Sequence, residues 1–77
     1  MKALLKACML IKSVPPKVEK TLEQVKAMGE VRKAYIVFGR WDVVAFVEAP
    51  DYEKLRDVAS RINSLEGVRS TETLVEA

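Results

Sequence analysis

The sequence predicts an α+β domain with the order strand, helix, strand, strand, helix, strand. Its four strands form one antiparallel sheet, and two helices cover one face. Three observations lead there. Four apolar runs have the length and composition of strands, and two stretches carry apolar residues at helical spacing. The punctuation between them also repeats. Val14-Pro15-Pro16 and Glu48-Ala49-Pro50 each place proline just before a helix. Met28-Gly29-Glu30-Val31 and Leu65-Glu66-Gly67-Val68 each close a helix with a Gly-containing link to valine. Two copies of one βαβ unit explain the echo, and two copies are too few for a solenoid.

The first strand covers Ala7 to Lys12, extended upstream through Leu4 and Leu5, and Val14-Pro15-Pro16 stops it. Proline is tolerated in the first turn of a helix, where its missing N–H has no partner to lose, so Pro16 can open the first helix. Val18, Leu22, Val25 and Met28 form its apolar stripe; Lys17, Glu19, Lys20, Glu23 and Lys26 form its solvated face. Gly29 stands where a left-handed cap would end it. Val31 to Phe38 is the second strand and Asp42 to Glu48 the third. The link Gly39-Arg40-Trp41-Asp42 makes the pair an antiparallel hairpin. Asp51 is placed to cap the second helix, with Glu53 in its first turn. Leu55, Val58, Ala59, Ile62 and Leu65 form its stripe, and Asp57 and Arg61 are an i,i+4 pair on the other side. Gly67 ends it, and Val68 to Val75 is the fourth strand. The arrangement is ferredoxin-like.

A chain of 77 residues allows one small domain. Such a domain buries only roughly 60% of the surface its unfolded chain exposes. With 49% hydrophobic residues, much of that content lies in unbroken strand runs that are apolar on both faces. One layer of helices covers a single face, so the other is expected to meet a partner, most simply a second copy of the chain. The formal charge is +2, with basic residues scattered from Lys2 to Arg69, which gives no concentrated face for nucleic acid. Cys8 is the single cysteine and there is no histidine, so no internal disulfide or Cys/His metal cluster can form. Cys8 reads as a small buried hydrophobe, although Lys6 alternates onto its face. Charge interrupts Met1-Lys2-Ala3-Leu4-Leu5-Lys6 too early for a signal-peptide core. No run reaches the roughly 20 apolar residues of a membrane span. A cytoplasmic protein is expected.

Acid–base or nucleophilic catalysis needs a titratable group beside a partner, and the chain offers no such constellation. Lys12-Ser13-Val14-Pro15-Pro16 lacks the arginine and glycines of an acylphosphatase-type loop. Tyr35 and Phe38, at odd separation, point to opposite faces and make no RNA-stacking platform. The Gly39–Asp42 turn is richer. On one reading Gly39 takes a positive φ, Trp41 packs as a core anchor and Asp42 caps the turn. On the other, backbone N–H groups freed at Gly39 hold a carboxylate, Asp42 holds an ammonium and Arg40 adds a bidentate contact. A free amino acid presents both charges close together. Thr71 and Thr73, two apart, place both hydroxyls on one face of the last strand. They also suit a strand simply because they are β-branched.

The order of these elements resembles the effector-binding domain of the Lrp/AsnC regulators, also called RAM. The resemblance rests on Gly39-Arg40-Trp41-Asp42 after a strand, then an apolar strand, a helix, and Gly67-Val68 with Thr71 and Thr73. It runs from about Ala7 to Val75, with Trp41 where tyrosine is commoner. The resemblance implies a dimeric α/β barrel-type assembly that builds into higher oligomers, and amino-acid effectors bound between dimers near the turn. Carried over by position, Gly39, Arg40, Trp41 and Asp42 line that site, with Thr71 and Thr73 as further contributors. Full members of the family carry a helix-turn-helix domain that this sequence lacks, so a stand-alone RAM domain over residues 1–77 is expected, without direct DNA binding. The expected function is amino-acid sensing and oligomerisation, without cofactor, metal or catalysis, and with a full-length regulator as a further partner. The alternative is a purely structural subunit that co-assembles with such a regulator and has no ligand of its own. The ACT domain shares the strand order, but Ser13-Val14-Pro15-Pro16 does not resemble its glycine-rich ligand turn.

Overall fold

The computed structural model describes residues 4–77. The charged start Met1-Lys2-Ala3 lies outside them. The elements are β1 (Leu5–Ser13), α1 (Val18–Lys26), β2 (Val31–Ile36), β3 (Val43–Ala49), α2 (Tyr52–Asn63) and β4 (Val68–Val75), with a single 3₁₀ turn, Pro15–Lys17, leading into α1. The sheet order is β2-β3-β1-β4, every pairing is antiparallel, and both helices pack on one face. The sheet of the single chain is open and does not close into a barrel.

Strand alternation decides what is buried. On β1, Ala7, Met9, Ile11 and Ser13 turn towards the helices. Val43, Ala45, Val47 and Ala49 do the same on β3. Val25 of α1 and Leu55, Val58 and Ile62 of α2 complete the core. Of the expected α1 stripe, only Val25 is fully buried; Val18, Leu22 and Met28 pack around the edge. The central place beside Val25 goes to Thr21, which is completely buried with its hydroxyl 3.2 Å from that of the buried Ser13. That pair satisfies two hydroxyls that would be costly to bury alone.

Three local expectations change. Cys8 is half-buried on the open face, because its neighbours Ala7 and Met9 take the core side. Gly29 does not adopt a positive φ. α1 instead ends right-handed at Ala27, and the Val31 N–H closes a short turn onto the Met28 carbonyl at 3.1 Å. The other half ends alike, with the Val68 N–H on the Leu65 carbonyl at 3.0 Å, so the echo in the sequence is an echo in hydrogen bonding. Finally, β2 stops at Ile36 and β3 starts at Val43, so the connection is a loop from Val37 to Asp42 and not a tight turn. Asp51 caps α2 as expected, its Oδ1 accepting the Lys54 N–H at 2.8 Å.

Glu30, in the link after α1, reaches across to α2. Its carboxylate contacts Arg61 Nη2 at 3.0 Å and Lys54 Nζ at 3.4 Å. Its pKa is lowered, first by its own backbone N–H and then by the Arg61 guanidinium, with Lys54 adding to them and desolvation opposing. A carboxyl whose folded pKa is depressed stabilises the fold above its unfolded value, near 4.3, and loses that contribution as pH falls through the lower folded pKa. Glu30→Gln should therefore cost about 1 kcal/mol or less at pH 7, the range of partly exposed pairs. The gap to the wild type should narrow as pH falls below the unfolded value and close as it passes the lower folded one, as read by urea denaturation across pH.

Candidate ligand site at the β2–β3 loop

The loop is shaped by one backbone feature and three hydrogen bonds. Gly39 has φ +133°, a conformation that side-chain-bearing residues rarely adopt, and space for a Cβ is not the issue because none would be touched. The Val37 N–H donates to the Asp42 carbonyl and the Asp42 N–H to the Ile11 carbonyl, each at 2.9 Å. The Asp42 side chain completes the clasp: its Oδ2 accepts the Ser13 N–H at 2.9 Å and lies 3.6 Å from Lys12 Nζ. Asp42 thus ties the loop to the end of β1, across a chain separation that a turn cap would not span.

This clasp places Arg40 and Trp41 over a corner of the open sheet face. With Lys12 of β1 and Ser70 of β4 they line a shallow pocket of about 230 Å³. Trp41 is half-buried there, not a core anchor, and Arg40 is exposed. Two cations, a hydroxyl and an indole wall suit a small anionic or zwitterionic group.

Of the expected site residues, Arg40 and Trp41 line this pocket, Asp42 braces it and Gly39 provides its bend. Thr71 and Thr73 face the other side of the sheet. The β1–β4 register sets Ser70 opposite Lys12 and Thr71 opposite Ile11, so both threonines point towards α2. Thr71 Oγ1 donates to Asn63 Oδ1 at 3.3 Å. Thr73 lines a separate cleft of about 220 Å³ with Tyr52, Leu55, Arg56, Ala59 and Val75. Within one chain the two clusters do not share a pocket. Lys12 and Ser70 went unnoticed in the sequence; only the cross-strand register brings them to the loop.

The rest of the open face is apolar at its centre. Tyr35 and Phe46 meet edge to face with centroids 6.1 Å apart. Leu74 is exposed beside them, and Cys8, Leu10 and Val44 are half-buried. Tyr35 therefore has an aromatic partner after all, on the neighbouring strand, while Phe38 stands fully exposed beyond the end of β2. Among the described residues no group of three His, Cys, Asp or Glu is placed to hold a metal, and no helix is long and apolar enough to cross a membrane.

The model of the Lrp/AsnC ligand binding domain matches residues 6–76. The chain belongs to the Lrp/AsnC ligand-binding domain family. Solved structures share the fold. TTHA0845 from Thermus thermophilus is 38% identical with a TM-score of 0.91, over 95% of this chain and 92% of that one. The hypothetical protein PHS023 from Pyrococcus horikoshii is 26% identical with a TM-score of 0.87, over 95% and 89%. AsnC from E. coli, at 22% identity and a TM-score of 0.85, shares the fold; the match covers 94% of this chain and 50% of AsnC. A comparison with curated proteins found no match.

Proposed function

We propose that the chain is an effector-binding and oligomerisation module related to the Lrp/AsnC regulators, and that its effector is an amino acid. The observation that carries this reading is the pocket at the β2–β3 loop, where Lys12, Arg40, Trp41 and Ser70 converge beside Asp42. An α-carboxylate finds Lys12 and the Ser70 hydroxyl. An α-ammonium finds Asp42, whose Oδ1 is not engaged by the Ser13 N–H or by Lys12. No catalytic role is assigned. Assembly through the open face is supported by the exposed Tyr35, Phe46 and Leu74, an apolar surface that a soluble monomer rarely leaves uncovered.

Calorimetric titration with the common amino acids tests the reading. The wild type should show saturable binding at millimolar concentration or below. Asp42→Asn keeps an oxygen for the Ser13 N–H but removes the charge, so it should bind at least about tenfold more weakly while its far-ultraviolet circular dichroism stays unchanged. If no amino acid binds the wild type at millimolar concentration, effector binding is wrong. The structural-subunit reading then takes its place, with Asp42→Ala expected to change assembly and no ligand to affect it.

A further inference from the structure

We infer that the loop pocket selects an amino acid with a second, side-chain carboxylate, an inference that rests on the effector reading above. It comes from a count of charges. Lys12 and Arg40 are the cations of the pocket lining. Asp42 is the acid beside it, 3.6 Å from Lys12 Nζ. An α-amino acid with a neutral side chain brings one negative and one positive group, which leaves one of the two cations without a partner. The ligand that complements two cations and one carboxylate carries two carboxylates and one ammonium.

Arg40 is the cation left for the second carboxylate. It makes no ion pair among the described residues, whereas Lys12 already leans on Asp42. Guanidinium is suited to the task, since its planar fork matches a carboxylate with two parallel hydrogen bonds. An apolar side chain in the same place would strip water from Arg40 and return nothing. Glu72, on the open face of β4 two residues beyond Ser70, is not part of the pocket lining and makes no ion pair with Lys12 or Arg40. The half-buried indole of Trp41 supplies a flat wall for the methylenes between the two ends of the ligand. Size agrees: about 230 Å³ is below the roughly 300–1,000 Å³ of pockets for drug-sized ligands, so the site suits a small ligand.

Trp41 is the single tryptophan of the chain, so its fluorescence reports on this pocket directly. The full chain is titrated with glutamate, aspartate, glutamine, asparagine, leucine and glutarate, with calorimetry in parallel. Glutamate or aspartate should bind at least about tenfold more tightly than its own amide, the scale of one charge-assisted contact. Glutarate, which has both carboxylates and no ammonium, should bind more weakly than glutamate. Arg40→Gln should weaken the acid far more than its amide and so close the gap between them. Amides or leucine binding as tightly as the acids would overturn the inference and leave the effector reading standing. Glutarate matching glutamate would overturn it too, because the site would then be a general anion site. Failure of every amino acid to bind would remove both.

Discussion

Met9→Ala should lower the free energy of unfolding by about 2–5 kcal/mol, the range for deleting a fully buried methionine side chain. Met9 is wholly inaccessible at the middle of β1, opposite Ala45 on one side and Thr73 on the other, on the face that the helices cover. Domains of this length have roughly 0.05–0.15 kcal/mol per residue to lose, or about 4–12 kcal/mol in all. The variant should therefore lose from about a sixth to all of its stability. The neighbouring Leu10→Ala is the informative control. Leu10 lies on the open face and is only half-buried in the single chain. Its truncation should cost little in dilute solution. If the open face packs against a second copy, the loss should instead appear as a weaker dependence of the urea midpoint on protein concentration. Denaturation of both variants at two concentrations about a hundredfold apart separates the cases. A Met9→Ala loss below about 1 kcal/mol would contradict the core described above.

The second large effect concerns two glycines at echoing places. Gly67→Ala should destabilise by about 1–3 kcal/mol, whereas Gly29→Ala should be neutral or stabilise by about 0.4–1 kcal/mol. Neither glycine has a positive φ, so the usual expectation for both is a gain, through a less flexible unfolded chain. A Cβ on Gly29 would meet nothing within 4 Å. One on Gly67 would fall 2.5 Å from Thr21 Oγ1 and 2.9 Å from Lys17 Cβ. Thr21 is fully buried and shares its hydroxyl with Ser13, and the Gly67 carbonyl accepts the Val14 N–H at 2.9 Å, so neither side can easily yield. The test is the pair of urea midpoints. Equal effects of the two substitutions would mean that β4 does not enter the sheet pressed against α1.

Much of the fold was legible because its signals are local. Val25 and Ile62 fall on helical stripes, Asp51 precedes an amphipathic run, and the prolines mark where strands stop. Each depends on residues a few positions apart, and the structure agrees with each. Gly39 was legible for the same reason: a loop between two strands asks for a residue tolerant of positive φ, and Gly39 is the described residue that adopts it. Gly29 shows the limit, since a right-handed turn onto Met28 ends the helix equally well and glycine does not forbid it.

The candidate site divides along the same line. By itself the sequence determined the order of elements, the repeated half, the loop carrying Arg40 and Trp41, and the pairing of Thr71 with Thr73 on one face. It did not determine which face. That choice belongs to the register between β1 and β4, which sets Lys12 opposite Ser70 and Ile11 opposite Thr71. A shift of one residue would exchange the two faces of β4 and bring the threonines to the loop. Likewise Asp42 looked like the cap of its own turn, but the packed sheet delivers the Ser13 N–H and Lys12 to its carboxylate. Periodicity is written along the chain, whereas register is settled by which faces of distant strands exclude water together. Only the tertiary structure could therefore decide that the pocket is built from Lys12, Arg40, Trp41 and Ser70.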